Sequence, residues 1–229
     1  MSWRREIIAA VLIGVSSFAH ASIIDDAEDA IARADYAAAM RMLEPLADAG
    51  NAVAENDIGW LYYEGLGVAR DEARAVNWFL KAATQGQPVA QLNLWDAYLN
   101  GRGVSADEAK ATTWLRAAAD QRLPWALVEL SFAHLDGRGV RQNADEAFRL
   151  MQLAADQGLP FAQNELGWMY ETGLGTSQND DQAIAWYRQA AKNGNTSAGW
   201  NVEYMYRSGR AAPVDPSEAK QWNRRRNFR

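Results

Sequence analysis

Apolar and polar positions along this chain follow a helical rhythm that restarts every 36 residues. Ala162, Leu166 and Tyr170 stand at i, i+4 and i+8, which makes one apolar stripe on a helix. A glycine ends that run, and a second stripe follows, with Ala183, Trp186 and Ala190 at i, i+3 and i+7 before Gly194. Shifting the pattern by its period recovers the same landmarks. The small opening residue recurs as Ala54, Ala90, Ala126, Ala162 and Ala198, and the ring as Tyr62, Tyr98, His134, Tyr170 and Tyr206. On the second stripe the large position reads Trp78, Trp114, Leu150, Trp186 and Trp222. The spacing predicts a unit of helix, glycine turn and helix, stacked in register without insertions.

Local chemistry fixes the ends of these helices. Gly65, Gly101, Gly137, Gly173 and Gly209 fall just past the first helix, where a positive φ closes it. Asp35, Asp71, Asp107, Asn143, Asn179 and Asp215 precede the second, and each carries an oxygen able to cap free backbone N–H groups. Gly167, beside the stripe of Ala162 and Leu166, leaves room for a neighbouring helix.

The string A-x-x-x-L-G-x-x-Y-x-x-G-x-G, then D-x-x-x-A-x-x-W-x-x-x-A-A-x-x-G, resembles the Sel-1-like repeat family, a relative of tetratricopeptide repeats. The resemblance implies an all-α fold, a right-handed α-solenoid, and five repeats at residues 52–87, 88–123, 124–159, 160–195 and 196–229. Residues 22–51 read as a degenerate half repeat whose first helix, exposed at the end of a stack, lacks the motif. It also implies an adaptor or scaffold rather than an enzyme, with first helices lining the concave side. The face two positions from the apolar stripe, about 200° round each first helix, then floors a groove. That face comprises Asn56, Trp60 and Tyr63; Leu92, Asp96 and Leu99; Val128 and Phe132; Asn164, Trp168 and Glu171; and Trp200 with Tyr204. Its central column, Trp60, Asp96, Phe132, Trp168 and Tyr204, is mostly aromatic, which suits either anchors for a protein partner or rings packed between adjacent first helices.

The ends and the charge narrow the setting. Residues 1–21 carry Arg4 and Arg5, a short apolar run from Ile7, and Ala19-His20-Ala21, the pattern of a secretory signal cleaved after Ala21. The run is too short to span a bilayer, so a periplasmic protein without stable membrane insertion is expected. Loss of the leader takes the formal charge from −6 to −7. The last ten residues add Lys220, Arg224, Arg225, Arg226 and Arg229, so residues 22–219 carry −12. An acidic body of this kind repels phosphate backbones, and nucleic acid is excluded as the main ligand. The basic tail reads as a solvated helix end, with anionic lipid or an acidic partner as the other reading.

Candidate chemistry is sparse. There is no cysteine, hence neither disulfide nor thiol chemistry. The two histidines occupy the leader and a core-ring column, and no metal-ligand spacing, P-loop or nucleophile elbow occurs. Ser217-Glu218-Ala219-Lys220 fits S-x-x-K, the nucleophile pattern of penicillin-binding enzymes, but its companion motifs are missing. No catalytic residue, cofactor or metal is expected. The expected function is a periplasmic scaffold, adaptor or regulator that binds a protein. An immunity protein against a periplasm-delivered toxin is the first alternative, and a cell-wall or β-lactam hydrolase the second.

Overall fold

The structure is a computed structural model that describes residues 23–210. The expected leader, the S-x-x-K segment and the basic tail lie outside the described residues. Within them the chain forms helices throughout: α1 (Ile23–Ala32), α2 (Tyr36–Asp48), α3 (Ala52–Glu64), α4 (Glu72–Thr84), α5 (Pro88–Asn100), α6 (Glu108–Asp120), α7 (Pro124–Asp136), α8 (Ala144–Asp156), α9 (Pro160–Thr172), α10 (Asp180–Lys192) and α11 (Thr196–Arg207). The all-α class and the repeated helical hairpin are as the periodicity predicts.

Two compact units divide these elements. The first holds α1 to α4, α5 as far as Ala97, and residues 101–105; the second holds residues 98–100 and α6 to α11. In the first, Ala39, Leu43, Ala54, Ile58 and Leu61 are buried together with Ala27 and Ala30, so the degenerate half repeat shares a core with α3. In the second, Ile184 and Tyr187 of α10 pack with Val202, Met205 and Tyr206 of α11.

The hairpin ends follow the predicted chemistry. Asp35, Asp71, Asp107, Asn143 and Asn179 each accept a hydrogen bond from a backbone N–H in the first turn of the helix they precede. Gly173 sits at φ +73° and its N–H donates to Met169 O, closing α9. Gly167 explains how a hairpin closes on itself. A Cβ built there would lie 2.7 Å from Cδ1 of the Tyr187 ring, and one on Gly59 would meet Phe79 at the same distance. In these two hairpins the first helix is therefore bare where a ring of its partner helix crosses it. In the hairpin of α7 and α8, Ser131 takes the glycine position and its hydroxyl donates to Ala147 O at 2.7 Å.

This geometry corrects one expectation. The buried ring of the second helix is the residue after the tryptophan: Phe79 and Tyr187 are 1 % exposed, as is Met151, whereas Trp78 and Trp186 are only half-buried. The stripe runs i, i+4 through Ala183 and Tyr187, not i, i+3 through Trp186, because the ring that fills the glycine gap sets the facing angle. Trp78 instead covers the surface, with the Lys81 ammonium 3.7 Å from its ring centroid.

Candidate functional site on the first helices

In the first unit the expected groove residues are largely engaged with one another. Asn56 is 5 % exposed and accepts from Asn93 Nδ2 at 2.9 Å while donating to Asp57 Oδ1 at 3.2 Å. Burial pushes the Asp57 carboxyl up to about 7, with Glu28 of α1 adding to the shift, and its Oδ2 has no hydrogen-bond partner. The Tyr63 hydroxyl donates to Asp96 Oδ2 at 2.8 Å and accepts from Arg102 Nη1, which also lies 3.2 Å from Asp96. Burial raises the Tyr63 phenol to about 12. Trp60, Leu92 and Leu99 are half-buried.

The second unit repeats this arrangement with different side chains. Asn164 is buried and accepts from Asn201 Nδ2 at 2.9 Å. Burial also raises the carboxyl of Glu165 beside it. Val128 is fully buried. Glu171 stands where Tyr63 does, one carboxylate oxygen accepting from Arg210 Nη1 at 2.7 Å and the other from the Tyr187 hydroxyl at 2.6 Å. Arg210 also grips Asp180, whose carboxyl it holds below the usual range. Arg102 and Arg210 occupy equivalent positions and each is bonded to a residue 39 positions earlier, while their second partners, Asp96 and Asp180, are not equivalent. Sequence reasoning passed over both arginines; their place directly after Gly101 and Gly209 was the available signal.

Asn56, Val128 and Asn164 therefore do not floor an open groove. Within each unit first helices of adjacent repeats flank one another, so the position two residues past the opening alanine meets the next first helix instead of water. Phe132 is partly enclosed as well, its ring edge-on to Phe161 at 6.2 Å, with Trp125 tilted at 31° against Phe161 at 5.6 Å. What remains open is a cluster on α9 and α11: Trp168 is 42 % exposed, Trp200 51 % and Tyr204 56 %. Large apolar rings left in water at consecutive repeats are the surface feature that burial alone does not account for. Among the described residues no cluster of side chains suits a metal ion, and no helix is long and apolar enough to cross a membrane.

Comparisons with known proteins bear on the fold. The chain is 31 % identical to a Sel1 repeat protein of Oxalobacter formigenes, with a TM-score of 0.81 over 87 % of this chain and 82 % of that one. It is 33 % identical to a protective antigen of uropathogenic Escherichia coli that displays an SLR fold, with a TM-score of 0.78 over 82 % of this chain but only 40 % of that longer one. An immunity protein of Pseudomonas aeruginosa shares the fold at 19 % identity and a TM-score of 0.52, covering 97 % of this chain and 78 % of that one. Comparison with curated protein sequences gave no match. The Sel1 repeat model matches residues 52–87, 88–123, 126–159, 160–195 and 198–224. Proteins built of such repeats are generally scaffolds for protein interaction. With most of its length matched in this way, and with the capped hairpins described above, the chain belongs to the Sel1 repeat family.

Proposed function

We propose that this protein is an exported, periplasmic scaffold or regulator that binds a protein partner through Trp168 and Tyr204. The observation that carries the reading is the exposure of these two rings at equivalent positions of neighbouring first helices. Neighbouring helices pack about 8–10 Å apart, so the pair presents two anchors that one partner segment spans. Rings of this kind contribute strongly to binding once water is expelled around them. Export is supported by Arg4, Arg5 and the Ala19-His20-Ala21 site. The remaining expected residues act differently in this reading. Tyr63, Asp96 and Glu171 stiffen the helices of their own units through arginine, and Trp60, Leu92, Leu99 and Phe132 are given no part in the contact. The narrower reading, immunity against a periplasm-delivered toxin, has support only at the level of fold. The hydrolase reading rests on Ser217 and Lys220 alone.

The test compares the Trp168→Ala/Tyr204→Ala double variant with the unaltered chain. Its melting temperature stays within a few degrees, as surface changes do, while recovery of the partner from an envelope extract falls about tenfold or more. Equal recovery of the same partner by both proteins sinks the assignment.

A further inference from the structure

The two ring columns of the repeats fail together in the third repeat. His134 replaces the tyrosine of positions 62, 98 and 170, and Leu150 replaces the tryptophan of positions 78, 114 and 186. In the first unit the corresponding space is filled. The Arg74 guanidinium lies 5.1 Å from the Tyr62 ring centroid and bonds its hydroxyl at 3.3 Å, and Lys81 covers Trp78. At the places of Arg74 and Lys81 the third repeat carries Glu146 and Leu153. The result, wholly inside the second unit, is a cleft of about 450 Å³ between α6, α7 and α8. Its floor is the half-buried Leu153 over Leu127, Leu130 and Leu150, which are 2–4 % exposed, and its rim carries Arg116, Arg122 and Arg149 with Asp120 and Glu146. Past His134 it continues onto a shelf lined by Arg141.

The rim is built at a conformational cost. Arg122 adopts φ +62°, where the equivalent Gly86, Gly158 and Gly194 stand at +90°, +88° and +100°. A side chain in that region costs roughly 1–2 kcal/mol relative to the ordinary helical one, and strain held in place is a pointer to a functional position. Glu146 is already occupied: Arg149 holds it through two bonds of 2.8 and 2.6 Å, and this keeps its carboxyl below the usual range. Arg116 adds to the lowering of Glu146, but no carboxylate among the described residues is within ion-pair distance of Arg116, Arg122 or Arg141. These cations face outward from a chain whose body is strongly acidic.

We propose that this cleft is a second binding site, taking an acidic peptide segment whose apolar side chain lies on the leucine floor and whose carboxylates meet Arg116 and Arg122. A compact phosphate would leave the floor unused, and the ionised Glu146 in the middle of the rim would repel it. Carboxylates spaced along a peptide pass on either side of Glu146. Phe132, on the partner-facing side of α7, lies two positions and about 200° from His134, so the site is separate from the rings of α9 and α11.

The experiment is fluorescence anisotropy with the full chain and a short labelled peptide of glutamates flanking one leucine. The expected result is salt-sensitive uptake, absent for the same peptide with lysine in place of glutamate. Arg116→Glu should weaken uptake about tenfold or more, since it reverses a charge against the ligand. Arg122→Gly should weaken it while holding or raising the melting temperature, which a merely structural arginine would not do. Leu150→Trp should close the cleft, and Trp168→Ala should leave uptake unchanged. The proposal is overturned if the peptide is not taken up, or if Arg116→Glu and Arg122→Gly bind it as the unaltered chain does. It is equally overturned if inorganic phosphate displaces the peptide at low millimolar concentration, or if Arg116 instead supports self-association of the chain.

Discussion

Tyr187 and Trp186, adjacent on α10, separate two uses of an aromatic ring. Tyr187 is enclosed against Gly167 and its hydroxyl is bonded to Glu171, so Tyr187→Ala opens a cavity and takes the donor from one Glu171 oxygen, the other staying with Arg210. It should cost about 3–5 kcal/mol by thermal or denaturant melts, against about 1–2 kcal/mol for Trp186→Ala. Gly167→Ala should destabilise by about 1–3 kcal/mol, because its methyl would overlap the Tyr187 ring. Asp57 supplies a prediction in pH. Its folded-state value of about 7 lies above the unfolded value of 3.8, so the folded chain binds the extra proton between them. Stability from this group is complete below pH 3.8 and is lost as pH rises from there through about 7. Asp57→Asn should therefore melt higher than the unaltered chain at pH 8 and close to it at pH 4. Equal differences at both pH values would remove Asp57 as the cause.

At the scale of the element, what could be foreseen was what is decided within one turn of chain. The capping oxygens of Asp71, Asp107, Asn143 and Asn179 need only the N–H groups that follow them, and each was found bonded. Asn179→Ala should cost about 1 kcal/mol, seen as a fall of about 2–4 °C in melting temperature. The choice between Trp186 and Tyr187 was not local. Spacings of three and four both make a helical stripe, and only the bare backbone of Gly167 on α9 selects the second. The burial of Asn56, Val128 and Asn164 had the same origin, since an adjacent first helix, not the helix itself, covers them. Asparagine at 56, 93, 164 and 201 was the readable hint, because paired amides satisfy each other between helices.

At the scale of the molecule, the principal helix contacts join elements next to each other in sequence. Stability in such an array is approximately a sum of repeat and neighbour terms. Tyr187→Ala should accordingly speed hydrogen exchange in α9, α10 and α11 far more than in α6 and α7; uniform acceleration across the second unit would contradict this. The contact of Gly59 with Phe79, and of Gly167 with Tyr187, has an evolutionary corollary. In these two hairpins the second helix brings a large ring and the first is bare, and in the hairpin of α7 and α8 the second brings Met151 and the first carries Ser131. The two helices of a hairpin thus share a size code. A crossover in the glycine turn that joined α7 to α10 would set the Ser131 side chain against the Tyr187 ring. A crossover near residues 123 or 159 would keep each matched pair together. Recombination in a gene of this kind is tolerated at the seams between hairpins and selected against within them.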